Sequence, residues 1–141
     1  MTALLLSVHV LAAIVLIGPI AVAASLFPRC ARAEPGSGAP RLLHRICRGY
    51  AVAGLAVPVF GLATALQMGV LADPWLLISI ALTLIAAALL ALVILPAQSA
   101  LLAEPVAATA RRLTMTTGIF NLIWAAVVVL MIVRPGSSTG A

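Results

Sequence analysis

The stretch from Ala3 to Phe27 reads ALLLSVHVLAAIVLIGPIAVAASLF and carries no formal charge. About 20 apolar residues in a helix cross the roughly 30 Å of bilayer hydrocarbon, so this run is long enough to span a membrane. Three more apolar runs follow, at about Gly49–Leu71, Pro74–Leu95 and Leu113–Val133. The expected fold is all-α: a four-helix transmembrane bundle forming one integral membrane domain over residues 1–141.

Composition agrees. Hydrophobic residues make up 65% of the chain and charged residues 8%, where soluble domains carry about 25% charged residues. The mean hydropathy is +1.28. The first seven residues contain no basic group, and the first arginines come after the apolar run. A cleaved secretory signal has the reverse order, so the run reads as a retained span.

All eight basic residues are arginine. With the high alanine content, that bias points to a high-GC bacterial genome. The net charge of +5 does not indicate nucleic acid, because basic and aromatic residues are not interleaved as in nucleic-acid-binding surfaces. Instead the arginines fall between spans. Arg29, Arg32, Arg41, Arg45 and Arg48 follow the first, Arg111 and Arg112 precede the last, and Arg134 alone lies on the opposite side. The positive-inside rule then puts the arginine-rich loop 28–48 in the cytoplasm and both termini outside a bacterial cytoplasmic membrane. Cys30 and Cys47 are expected to remain thiols in that reducing compartment.

Within the spans, Gly54, Pro58, Gly61 and Ala65 share one face of the second helix. Small residues let a neighbouring backbone approach closely in lipid, and Pro58 should kink the helix. Asp73 is placed to cap the third helix, with Pro74 at its first position and Trp75 as an interfacial anchor. Pro96 marks its expected end, with an interfacial continuation through Leu102 as the alternative. Thr114, Thr117, Gly118, Asn121 and Ala125 form a stripe on the fourth helix. Ser79, Thr83, Thr117 and Asn121 are expected to act as intramembrane polar packing groups, hydrogen-bonding between helices. Residues 137–141 are expected to fray.

His9 is the candidate cofactor-binding residue. It lies about 9 Å from the start of its helix at 1.5 Å per residue, and an ionisable group at that depth points to function. It can serve as a haem ligand, a metal ligand or a proton-relay group, or as a neutral imidazole bonded to Ser79, Thr83 or a carbonyl of a neighbouring helix. His44 is the only other histidine. It falls on the other side of the membrane, so both cannot ligate one iron within a protomer. Met68 and Met131 sit near the same side as His9, which makes a His–Met pair geometrically available. Cys30, His44 and Cys47 share a loop, but His-x-x-Cys with one distant cysteine is a weak metal pattern. The three acids, Glu34, Asp73 and Glu104, all lie outside the spans, so no membrane carboxylate is present for ion coupling. Phosphate-binding loops and protease motifs are likewise missing.

The segment Leu6-Ser7-Val8-His9-Val10-Leu11-Ala12-Ala13 followed by Gly18 resembles the first helix of a bacterial family of four-helix integral membrane proteins (domain of unknown function 2269). Leu95-Pro96-Ala97-Gln98, Leu122-Ile123-Trp124, Leu130-Met131 and Arg134-Pro135 extend the resemblance along the chain. More distantly, the first-helix histidine is similar to that of copper-resistance D-type proteins and of haem-binding membrane protoporphyrinogen oxidases. That likeness implies haem as the cofactor to consider at His9; composition alone implies none. The leading expectation is a non-enzymatic accessory protein that packs, in membrane lipid, with copies of itself or a larger membrane complex. The alternatives are a haem- or metal-binding redox or maturation protein using His9, and passage of a small solute or lipid past Asn121.

Overall fold

The computed structural model describes residues 2–34 and 36–136. Among these, four long helices follow one another: α1 (Thr2–Ala33), α2 (Gly38–Met68), α3 (Pro74–Ala103) and α4 (Ala107–Val133). Each is long and apolar enough to cross a membrane, which points to a multi-pass membrane protein with an all-α bundle fold. The expected frayed tail, residues 137–141, lies outside the described residues.

The helices run further than the apolar runs. α1 does not stop at Phe27 but continues through Pro28 to Ala33. Phe27 and Ala31 are both buried, so one packed face carries the helix past the single hydrogen bond that Pro28 removes. The arginine-rich segment 28–48 is therefore mostly helix rather than loop. Ser37 caps α2, its hydroxyl accepting from the Ala39 N–H at 3.4 Å. From there Pro40, His44 and Cys47 face inward while Arg41, Arg45 and Arg48 face out.

Of the two ends open for α3, the structure takes the later one: the helix passes Pro96 and runs on to Ala103. The reason recurs in α1. Pro19 and Pro96 each follow a π-helical turn by two residues, Ala13–Ile17 and Leu90–Ile94. A proline ring clashes with the carbonyl four residues back, and a wider turn accommodates it without breaking the helix. α2 takes the other solution. It breaks at Gly54–Leu55, one turn before Pro58, and the Gly54 carbonyl accepts from the Val57 N–H at 3.0 Å instead. At its far end α2 stops at Met68, short of Leu71, because Gly69 adopts the left-handed conformation (φ 71°). The Val70 N–H then reaches back to the Ala65 carbonyl at 3.2 Å, a closure glycine allows without strain.

The four helices pack unevenly. Toward the end that carries the arginine clusters all four converge on one core, built around Phe27, Ile94, Leu113 and Phe120. Toward the end that carries the termini they separate into two pairs, α1 with α2 and α3 with α4. Only a small cluster of Ala65, Val70, Trp75 and Leu76, flanked by Met68 and Met131, closes that end. The space between the pairs forms a cavity lined by residues of all four helices.

Candidate ligand-binding cleft

The cavity encloses about 540 Å³ and is lined by all four helices, within the range of about 300–1,000 Å³ typical of small-molecule sites. Its walls are almost entirely aliphatic. Two nearby hydroxyls are turned back onto their own helices: Thr64 donates to the Phe60 carbonyl at 2.8 Å, and Ser79 to the Trp75 carbonyl at 2.8 Å.

His9 is the exception. The ring is buried, and its Nδ1 lies 2.9 Å from the Val57 carbonyl. A carbonyl only accepts, so Nδ1 carries a proton, and in the neutral ring the lone pair is on Nε2. No hydrogen bond to Nε2 forms among the described residues, and the residue lines the cavity. The ring sits directly on Gly61: a β-carbon there would come within 2.8 Å of His9 Cε1 and 3.1 Å of Nδ1. Only glycine permits that approach. Gly54 plays a related part, with space for a β-carbon limited by its own turn and by Ile17 of α1. The small-residue stripe of α2 is thus used inside the bundle, to seat α1 and its histidine.

Three further groups border the cavity. Trp124 lines it with its indole Nε1 buried and without a partner. Met68 and Met131 both line it, as the sequence spacing allowed. Arg134 lies at its mouth, its guanidinium carbon 5.8 Å from the centre of the Trp75 ring. The Trp75 Nε1–H donates in turn to the Asp73 carboxylate at 3.1 Å. Asp73 does occupy the N-cap position of α3, but its side chain makes no capping bond to the helix backbone, because Trp75 draws it sideways.

His44 presents the opposite arrangement. At the arginine end, its Nδ1 lies 2.8 Å from Gln98 Oε1 and its Nε2 3.2 Å from the Ser99 hydroxyl. The Gln98 amide nitrogen donates to Cys47 Sγ at 3.6 Å. Both ring nitrogens are taken, and the imidazole is buried rather than interfacial. Among the described residues no group of three His, Cys, Asp or Glu side chains is arranged to hold a metal, so Cys30, His44 and Cys47 do not form a metal site. Cys47 is buried and Cys30 half-buried.

The polar groups of the spans divide in the same way. Asn121 donates from Nδ2 to the Ser25 hydroxyl of α1 at 2.9 Å, a bond between helices. Ser79 is buried and bonded within α3, and Thr83 lines the cavity. Thr117 Oγ1 and Asn121 Oδ1 are buried without partners. His9 uses neither Ser79 nor Thr83; its partner is a backbone carbonyl. Sequence reasoning named neither Val57 nor Trp124 as part of this site. No protein-family model, curated protein or solved structure matches this chain.

Proposed function

We propose that this is a haem-binding protein of a bacterial cytoplasmic membrane, with His9 as an iron ligand through Nε2. One observation carries the reading: His9 lines an apolar cavity with its Nδ1 held by a backbone carbonyl and its Nε2 without a hydrogen-bond partner among the described residues. Ligating histidines are oriented in this way, with the second nitrogen donating to a carbonyl or carboxylate that fixes the tautomer and raises the basicity of the first. The tautomer also discriminates among ligands. Nε2 can give its lone pair to iron or accept from a hydroxyl, but it cannot donate to a quinone-type carbonyl.

The donor set fits the group. Met68 and Met131 border the same cavity as His9 and would be the thioethers available to hold the group alongside it. The walls are mostly aliphatic, and Gly61 leaves room for the imidazole against α2. Bound haem would supply one-electron redox chemistry, tuned by its axial ligands and by the polarity around it. The distant similarity of the first-helix histidine, His9, to that of copper-resistance D-type proteins is consistent with the same reading. Detergent-purified protein should show a Soret band on addition of haemin; a spectrum equal to that of haemin in empty micelles would overturn the proposal.

The arginine distribution supports an orientation with the cleft toward the outside and Arg29–Arg48 in the cytoplasm. A membrane-impermeant maleimide applied to intact cells should then leave Cys30 unlabelled, whereas a permeant one labels it. A second reading, self-association, rests on α4, where Gly118 is exposed and meets no neighbouring helix. A small residue there permits close helix approach, and crosslinking in native membranes that yields only monomers would count against it.

A further inference from the structure

Arg134 stands apart from the other seven arginines, which cluster at the opposite end of the bundle. Loop-charge asymmetry accounts for those seven and leaves this one without a topological role. It ends α4 in the left-handed conformation (φ 48°), its N–H bonded to the Leu130 carbonyl at 2.8 Å. The residue is half-buried, lines the same cavity as His9, and rests over Trp75. A guanidinium stacked on an indole keeps its N–H edges available for bidentate contact with a carboxylate. The indole is itself fixed by Asp73, so the platform under the cation is held.

The cavity therefore has the imidazole of His9 in its wall and the guanidinium of Arg134 as a hydrogen-bond donor at its border. Its complement is a flat apolar body with an electrophilic centre and acidic groups at one edge. Resting on the haem reading above, we infer that Arg134 is the carboxylate-recognition residue of the cleft and sets which edge of the ligand faces the end carrying the termini. Arg134 is a specificity-determining residue in this account, with no part in holding the iron.

The test compares haemin with its dimethyl ester, in which both carboxylates are blocked, by absorption titration of detergent-solubilised wild type, Arg134→Gln and Arg134→Lys. Charge-assisted bonds of this kind correspond to about tenfold or more in affinity. The expected result is that Arg134→Gln weakens haemin binding by about that factor, Arg134→Lys recovers part of it, and neither variant changes binding of the ester. Equal weakening of both ligands, or of neither, overturns the role of Arg134 and leaves the haem reading standing. Failure of wild type to bind either ligand overturns the haem reading and this inference together.

Discussion

Replacing Gly61 with alanine tests the geometry of the cleft through stability, with no ligand present. The new β-carbon would lie 2.8 Å from His9 Cε1 and 3.1 Å from Nδ1, closer than packed carbon atoms approach. The imidazole must move, and its bond to the Val57 carbonyl must lengthen or break. Overpacking costs about 1–3 kcal/mol and a lost hydrogen bond about 0.5–1.5 kcal/mol, against about 1 kcal/mol gained from putting alanine in a helix. The net effect in wild type is destabilisation. In a His9→Ala background the obstruction is gone and only the helix term remains, so the same substitution becomes neutral or stabilising. The coupling between the two positions is expected to be about 2 kcal/mol or more. Reversible denaturation of the four proteins in detergent micelles, followed by circular dichroism, measures it. Equal effects of Gly61→Ala in both backgrounds would refute the placement of His9 against α2.

Three further outcomes are expected. His44→Ala strips Gln98 Oε1 of its donor and should destabilise the bundle by about 1–3 kcal/mol while leaving haemin affinity unchanged; a lost Soret band would contradict the separation of the two histidines. Asn121→Leu removes the bond to Ser25 and should cost about 0.6 kcal/mol, at most about 2, measured by the same denaturation. Thiol alkylation of the folded protein in detergent should modify half-buried Cys30 well before buried Cys47, with mass spectrometry of the peptides as the readout; equal rates would show that the core around Cys47 is open.

Four spans and their approximate centres were legible in the sequence because apolar length in a helix is fixed by membrane thickness. The helix ends were not. Pro96 left a stop and a continuation both open; a π-helical turn at Leu90–Ile94 lets α3 continue, and a proline two residues on does not by itself tell such a turn from a helix end. Within the arginine-rich loop 28–48 the helical spacing from Arg41 onward was legible as a lead into the second helix, but the inward face was not: with α2 beginning at Gly38, His44 falls beside Pro40 and Cys47 and meets Gln98. His9 was legible because an ionisable group is rare within so apolar a run. Gly61 was legible as part of a small-residue stripe, but not as the seat of His9, since that depends on how α1 crosses α2. The Val57 carbonyl carried no signal, because every residue has one. Trp124 and Arg134 lie far along the chain from His9, and only the separation of the helices into two pairs brings them to one cavity.

The central claim is that His9, and not His44, presents a ligand-binding nitrogen. Haemin titration of wild type, His9→Ala and His44→Ala in detergent, followed at the Soret band, tests it most directly. Saturable binding to wild type and His44→Ala, with none to His9→Ala, is the result predicted here. Binding to His9→Ala with wild-type affinity and spectrum would contradict it.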